Sequence, residues 1–126
     1  MNRILVVEDE ADLVVTYDRL LRREGYRVVT AASRAEGLKA IEFAPPALVI
    51  SDLRLPDGDG LDTIRAARAL DPPAPVIVVT AFASRAARDA ALASGASAFL
   101  AKPFPASALL RLVHDELGRT TTEAGP

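Results

Sequence analysis

Four short stretches of this 126-residue chain end on polar side chains whose types suit chemistry at a shared site. Glu8 and Asp9 follow one apolar run, Asp52 follows a second, Thr80 ends a third and Lys102 follows a fourth. Carboxylates are the usual protein ligands of a hard divalent cation, and an ammonium or a hydroxyl binds phosphoryl oxygens. If the four stretches meet in the fold, their side chains suit a divalent cation beside a phosphoryl group.

The apolar runs before these residues have the character of strands that are buried on both faces. They are short, rich in aliphatic residues and without clean alternation, as in a parallel sheet. These runs are residues 4–7, 48–51, 76–80 and 98–101. Because the carboxyl ends of the strands form the binding crevice of an open parallel sheet, we expect the polar residues to converge at that edge.

Strand and helix patterns alternate through the whole chain. A further strand is predicted at residues 27–30, and helices at 12–24, from 33 to the Pro45-Pro46 stop, and at 61–70, 84–93 and 106–117. Gly25 stands where a helix-terminating residue is expected, and Ser33 with Glu36 forms a capping-box pattern. The alternation predicts an α/β fold of five strand–helix units, with a parallel sheet between two helical layers. An eight-unit barrel would need about twice the length.

Composition and charge exclude several classes of protein. The formal net charge of -2 argues against nonspecific nucleic-acid binding by this domain, and the absence of cysteine excludes disulfides and thiolate chemistry. No apolar run approaches the length of a membrane span, and acidic residues interrupt the N-terminal stretch before it could act as a signal. We therefore expect a cytoplasmic protein that contacts neither membrane nor nucleic acid directly.

The turn after the first strand disfavours the nucleotide-binding classes of this architecture. A dinucleotide-binding domain needs G-x-G-x-x-G at that turn, and the chain has Glu8-Asp9-Glu10-Ala11-Asp12 instead, which would repel a pyrophosphate. A Walker-type phosphate loop is also absent from the sequence. The acidic turn favours binding of a cation over binding of a nucleotide.

The chain resembles the receiver domain of bacterial two-component response regulators. The matching pieces are Val6-Val7-Glu8-Asp9-Glu10, residues 51–60 (Ser-Asp-Leu-Arg-Leu-Pro-Asp-Gly-Asp-Gly), Val79-Thr80-Ala81 and residues 99–104 (Phe-Leu-Ala-Lys-Pro-Phe). They occur in the family's order, each beside a predicted strand, from residue 1 to about residue 118. The resemblance implies the flavodoxin-like fold, a doubly wound five-stranded parallel sheet with strand order 2-1-3-4-5. Residues 119–126 are expected to be a flexible tail or the start of a linker.

The resemblance also implies a role for each residue of the site. Asp52 would be the phosphorylated nucleophile, with Thr80 and Lys102 as the other catalytic residues. Mg²⁺ would be held by Glu8, Asp9, Asp52 and the backbone carbonyl of Arg54, and the phosphoryl group by Thr80, Ala81 and Lys102. The chain would catalyse only its own phosphorylation and dephosphorylation, so we do not expect an enzyme that turns over a separate substrate.

A signal would leave the domain through Thr80 and Phe99. In the family, the residue at the Thr80 position moves toward the phosphoryl group and an aromatic residue of the fifth strand follows it. Many relatives have Tyr where this chain has Phe99, so the bulk is kept and the hydroxyl is lost. The output face is expected on the fourth helix, fifth strand and fifth helix, and to include Arg85, Arg88, Asp89, Phe104 and Arg111.

The implied partners are a sensor histidine kinase or a phosphotransfer protein as donor, and an output domain or partner protein at the output face. A homodimer that forms on phosphorylation is a further expectation. One alternative is a phosphorylation-independent interaction module with a receiver fold. Another is a hydrolase of the haloacid dehalogenase type, which would need a D-x-D pair with the nucleophile first; Glu8-Asp9-Glu10 does not supply it.

Overall fold

A computed structural model of the chain describes the backbone of residues 2–124 and the side chains of residues 2–118. The strands of its main sheet are β1 (Arg3–Val7), β2 (Arg27–Ala31), β3 (Leu48–Ser51), β4 (Val76–Thr80) and β5 (Ala98–Ala101). The helices are α1 (Ala11–Arg23), α2 (Arg34–Phe43), α3 (Leu61–Arg68), α4 (Arg85–Ala93) and α5 (Ala106–Ala124). In this described part of the chain, no helix has both the length and the hydropathy needed to cross a membrane.

The main sheet is parallel throughout and has the strand order β2-β1-β3-β4-β5. This is the 2-1-3-4-5 order of the flavodoxin-like fold, so the predicted architecture is confirmed. The order reverses between β1 and β3, the two strands that precede Glu8 and Asp52. In open α/β sheets such a reversal opens a crevice at the carboxyl edge.

The sheet is buried on both faces, which explains why its strands show no polar alternation. Along β1, Leu5 and Val7 face one side of the sheet while Ile4 and Val6 face the other, and all four are at most 1 % exposed. The first side packs against α2, α3 and α4, and the second against α1 and α5. Successive residues of a strand point to opposite faces, so burial of both faces requires a continuous apolar run.

Local sequence signals place the ends of α1 and α2. Gly25 has a φ of 92°, the left-handed conformation that commonly ends a helix and that glycine adopts without a steric penalty. At the start of α2, the Ser33 hydroxyl accepts the N–H of Glu36 at 3.1 Å, and Glu36 reaches back to the N–H of Ala32. The predicted helix stop is confirmed, and of the predicted capping box the Ser33 cap is present while Glu36 returns to Ala32, the residue before the cap.

α5 is longer than the sequence pattern predicted. The pattern predicted an end at Leu117 with Gly118 beyond it, whereas the helix continues to Ala124. A glycine that ends a helix usually takes a positive φ, and Gly118 does not. The side chains of residues 119–126 lie outside the described part, so the tail or linker expected there stays a prediction.

The loop after β3 contains a feature that is too short to give a sequence pattern. Residues Arg54–Leu55 and Gly58–Asp59 pair as two antiparallel strands of two residues each, between β3 and α3. Gly60 follows the hairpin, and its N–H donates to the carbonyl of Leu53 at 2.8 Å. A Cβ atom at Gly60 would lie 2.2 Å from the carbonyl oxygen of Asp52. Only glycine fits there, and the close approach fixes the backbone that carries Asp52.

Candidate functional site

Glu8 lies directly after β1 and is fully buried. Its N–H donates to the carbonyl of Ala31 at 2.9 Å, which holds it between two strand ends. Carboxylate atom Oε2 accepts the N–H of Glu10 at 3.3 Å. Burial raises the pKa of Glu8 above its ordinary value, and the hydrogen bond from Lys102 opposes that rise. A cationic partner therefore favours the ionised form of the Glu8 carboxyl, which burial disfavours.

Asp52 lies beside Glu8 at the end of the neighbouring strand. Its N–H donates at 3.1 Å to the carbonyl of Val7, the residue that precedes Glu8. The residue is 6 % exposed, and its Oδ1 accepts the N–H of Arg54 at 3.1 Å. The parallel pairing of β1 and β3 thus brings together two carboxylates that are distant in the sequence.

Lys102 joins the two carboxylates. Its Nζ donates to Glu8 Oε1 and to Asp52 Oδ2, each at 2.7 Å, and Glu10 Oε1 lies 3.7 Å away. The Lys102 side chain is 9 % exposed, and a cis peptide bond links it to Pro103. Burial alone would lower the pKa of Lys102, but its hydrogen bonds to Asp52 and Glu8 raise the pKa above the ordinary value. The three side chains form a buried charged triad of one ammonium and two carboxylates.

Thr80 lies at the end of β4, the strand between β3 and β5. It is fully buried, and its Oγ1 accepts the N–H of Phe82 at 3.1 Å. The Thr80 carbonyl accepts the N–H of Lys102 at 2.9 Å, so the backbones of the two residues are hydrogen-bonded. Ala81 follows and is exposed. The hydroxyl and the ammonium are therefore held on adjacent strand ends.

Asp9 does not join the triad in this structure. Its side chain is exposed and makes no hydrogen bond or ion pair with the residues that the structure describes. Within residues 2–118, no group of three or more His, Cys, Asp or Glu is close enough to hold a metal ion. The donor set still fits Mg²⁺ in chemical type, because Glu8 and Asp52 converge through their oxygens on one cation, here the Lys102 ammonium.

Arg54 and Phe82 pair across the mouth of the site. The Arg54 guanidinium carbon lies 3.9 Å from the centroid of the Phe82 ring, a cation–π contact. Arg54 is two residues after Asp52, and Phe82 is two residues after Thr80. The pair therefore links the loop after β3 to the loop after β4, beside the buried carboxylate.

Phe99 lies on β5, and the charged residues of the expected output face lie on α4 and α5. Phe99 is in register with Val78 of β4 and packs, partly buried, against the core layer beneath α2, α3 and α4. The charged residues expected on that face are all exposed: Arg85, Arg88, Asp89 and Arg111. Phe104, expected with them, instead packs in the layer of α1 and α5, where its ring stacks on Tyr17.

Sequence reasoning missed a contact that supports the loop of Asp52. The two carboxylate oxygens of Asp57, in the loop after β3, accept the N–H groups of Arg34 and Ala35 at 2.8 and 2.9 Å. These hydrogen bonds lower the pKa of Asp57 below its ordinary value. The contact joins the loop to the first turn of α2 across 22 or more residues, so no local pattern could have indicated it.

Comparisons with known proteins agree with this arrangement. The family model of the response regulator receiver domain matches residues 4–114. The transcriptional regulatory protein PrrA of Mycobacterium bovis is 36 % identical over 122 residues, which cover 97 % of this chain and 52 % of that protein. GlrR of Escherichia coli, another transcriptional regulatory protein, is 39 % identical over 90 % of this chain and 26 % of its own length. The chain thus spans about half or less of these relatives.

Solved structures give the same result for the fold. A CheY-like receiver domain protein from Methanospirillum hungatei superposes with a TM-score of 0.93 at 33 % identity, covering 98 % of both chains. The receiver domain of the sensor histidine kinase PA1611 from Pseudomonas aeruginosa has a TM-score of 0.83 at 32 % identity, covering 93 % of this chain and 98 % of that one. That structure has a magnesium ion coordinated in its active site cleft. With the family model matched over most of its length, the chain belongs to the response regulator receiver domain family of two-component systems.

Proposed function

We propose that this receiver works by phosphorylation of Asp52, with the phosphoryl group taken from a phosphohistidine of a sensor histidine kinase or a phosphotransfer protein. One observation carries the proposal. Asp52 is a buried carboxylate at the carboxyl edge of the sheet, and it accepts a hydrogen bond at 2.7 Å from Lys102, whose ammonium can also bind phosphoryl oxygens. Phosphoryl transfer asks a protein mainly for positioning and for neutralisation of charge, and this triad provides both.

The proposed step exchanges one bond for another. An oxygen of the Asp52 carboxylate attacks phosphorus, the phosphorus–nitrogen bond of the phosphohistidine breaks, and the histidine leaves with the bonding electron pair and takes up a proton. Lys102 pairs with the phosphoryl oxygens, as do the Thr80 hydroxyl and the N–H groups of Arg54 and Ala81. Loss of the group to water regenerates Asp52. The chain then catalyses only its own phosphorylation and dephosphorylation.

Mg²⁺ is the cofactor of the proposal. Glu8, Asp9 and Asp52 would hold it through their carboxylates, and Arg54 through its backbone carbonyl. When bound, the ion supplies neutralisation of negative charge on the phosphoryl oxygens. Lys102 must then leave the carboxylates that it bridges here, which frees its ammonium for the phosphoryl group.

Arg54 and Phe82 are proposed to control access of water to the acyl phosphate. Their cation–π contact joins the loop that follows Asp52 to the loop that follows Thr80. A phosphoryl group on Asp52 would compete with the Phe82 ring for the Arg54 guanidinium, because a dianion attracts that charge more strongly than a ring does. The lifetime of the phosphorylated state then depends on both side chains.

The signal is proposed to pass from Thr80 and Phe99 to the face formed by α4, β5 and α5. Thr80 now accepts a hydrogen bond from Phe82, so a turn of its hydroxyl toward a phosphoryl oxygen disturbs the loop that leads into α4. An output domain, a partner protein or a second copy of the chain would read the change. The cytoplasmic location expected from the sequence stays part of this proposal.

Intact mass spectrometry tests the proposal directly. The wild-type chain, incubated with Mg²⁺ and acetyl phosphate, should gain one phosphoryl group of about 80 Da. An Asp52→Asn variant and a wild-type sample in EDTA should gain nothing. If acetyl phosphate gives no adduct, binding of beryllofluoride with Mg²⁺ is measured next. Failure of both would overturn the proposal in favour of a phosphorylation-independent interaction module, and steady release of phosphate from esters would favour a hydrolase.

A further inference from the structure

The hydroxyl of Tyr17 is buried without a partner. Tyr17 lies on α1 and is 1 % exposed, and its hydroxyl makes no hydrogen bond to any described residue. Among the residues with described side chains, Thr63 has the only other such atom. Leaving a buried polar group unpaired is costly, and phenylalanine would fill the same space without that cost. The hydroxyl therefore calls for an explanation beyond packing.

Tyr17 lies next to the charged triad. It lines a groove of about 420 Å³ together with Glu10, Ala81 and Lys102. Its ring stacks on Phe104, two residues after Lys102, with ring centroids 6.3 Å apart and planes within 1°. Long side chains of a helix point toward its N-terminus, which for α1 is the carboxyl edge of the sheet. This tendency favours a phenol that points along the groove toward the site.

The hydroxyl is a hydrogen-bond donor at neutral pH. Burial raises the pKa of Tyr17 to about 12, and the charges of Lys102, Glu8, Asp52 and Glu10 act on it as well. The hydroxyl therefore keeps its proton at neutral pH. It is thus a neutral donor in the same groove as the lysine that bridges the two carboxylates.

We propose that Tyr17 is a positioning residue whose hydroxyl becomes a partner of the Glu8 carboxylate when Lys102 turns to the phosphoryl group. The inference rests on the proposed function, in which Mg²⁺ binding and phosphoryl transfer to Asp52 together draw Lys102 away. Glu8 is fully buried, so it would otherwise lose a 2.7 Å hydrogen bond at that moment. A hydrogen bond from Tyr17 keeps the carboxylate oriented and lowers the cost of moving the lysine.

Tyr17→Phe removes the hydroxyl and keeps the ring. We expect this variant to unfold at the same or a higher temperature than the wild type, since an unpaired buried group is gone. We expect its phosphorylation by acetyl phosphate with Mg²⁺ to be about tenfold slower, the scale of one hydrogen bond to a charged group. Tyr26→Phe changes the only other tyrosine, which lies outside the groove, and should leave the rate unchanged.

A spectroscopic measurement separates positioning from packing. In protein with ¹³C-labelled tyrosine, beryllofluoride with Mg²⁺ should shift the Cζ resonance of Tyr17, because its hydroxyl gains an acceptor, and leave that of Tyr26 in place. A wild-type rate in Tyr17→Phe would overturn this inference alone, as would a slow rate that comes with a loss of thermal stability. A wild-type chain that takes up neither phosphoryl group nor beryllofluoride would overturn the proposed function and this inference together.

Discussion

At the scale of single residues, the site is dominated by a lysine that acts as a counter-ion. Lys102 is nearly enclosed between Glu8 and Asp52, and the two carboxylates would repel each other without it. A buried ion pair adds little net stability, but removing one partner leaves an uncompensated buried charge. The same ammonium must give way before a metal ion can use these oxygens. If Mg²⁺ binds here as proposed, Lys102 both stabilises the metal-free fold and competes with the ion.

Lys102→Met separates these two effects. Without Mg²⁺ we expect the variant to lose roughly 3 kcal/mol of unfolding free energy, because two buried carboxylates lose their shared cation. We expect added Mg²⁺ to raise its melting temperature more than that of the wild type, since no ammonium occupies the carboxylates. Thermal unfolding with and without Mg²⁺ measures both quantities.

The control for Lys102→Met is Lys39→Met, which changes the only other lysine of the chain. Lys39 is exposed on α2, so its loss should alter neither the stability nor the response to Mg²⁺. Equal Mg²⁺ shifts in Lys102→Met and the wild type would contradict competition between the lysine and the metal.

At the scale of elements, the loop after β3 is held from outside by α2. Asp57 accepts two N–H groups from the first turn of that helix, where donors have no partners within the helix. The ion pair of Arg34 with Asp62 adds a contact between α2 and α3. The segment that begins with Asp52 is thus fixed at one end by Gly60 and at its tip by Asp57.

Asp57→Asn should weaken this support in a pH-dependent way. The pKa of Asp57 is lowered in the folded chain, so its ionised form stabilises the fold above the ordinary aspartate pKa of about 4. That contribution is lost as the pH falls through the lowered value. We expect the variant to melt below the wild type at pH 7, with a difference that shrinks toward pH 3. Circular dichroism during heating at several pH values measures it.

Asp89→Asn is the matched control for Asp57→Asn. Asp89 is exposed on α4 and forms no ion pair or side-chain hydrogen bond with the described residues. The melting temperature of the Asp89→Asn variant should therefore match that of the wild type at each pH. A melting difference for Asp57→Asn that stays constant from pH 7 to pH 3 would show that the charge of Asp57 is not the cause.

Particular elements show why some features could be predicted from the sequence and others could not. The strands that precede Glu8, Asp52 and Lys102 are predictable because burial on both faces requires an apolar run. Their meeting is predictable because parallel strands share a carboxyl edge. The hydrogen bonds from Lys102 to Asp52 and Glu8 are not predictable, because their partners are separated by 50 and 94 positions in the sequence. The length of α5 was mispredicted because a glycine can lie inside a helix as well as end one.

At the scale of the whole molecule, two apolar layers enclose the sheet and reach far into α5. Among the residues with described side chains, Val113 and Leu117 are the last members of the core, at 0 % and 7 % exposed. Both lie before residue 118, where the sequence predicts the receiver to end. The described core is therefore complete without the last eight residues of the chain.

A chain that ends at Gly118 should fold and react like the complete one. We expect its melting temperature to fall by less than about 4 °C and its phosphorylation by acetyl phosphate to be unchanged, because the described core is intact. A chain that ends before Val113 is the contrasting variant and should lose cooperative unfolding. A large loss of stability in the 1–118 chain would show that the residues beyond Gly118 belong to the domain.

The backbone hydrogen bonds between strand ends also determine how this domain can be recombined with others. The N–H of Lys102 donates to the carbonyl of Thr80, and the N–H of Asp52 donates to the carbonyl of Val7. At these strand ends one bond joins β1 to β3 and another joins β4 to β5, beside the pairing of β3 with β4 that ends at Ser51 and Val78. A chimera of two receivers joined by a single crossover in α3 inherits each pair whole from one parent. A crossover in α2 or α4 divides a pair, and a one-residue slip there would turn a strand's side chains to the opposite face.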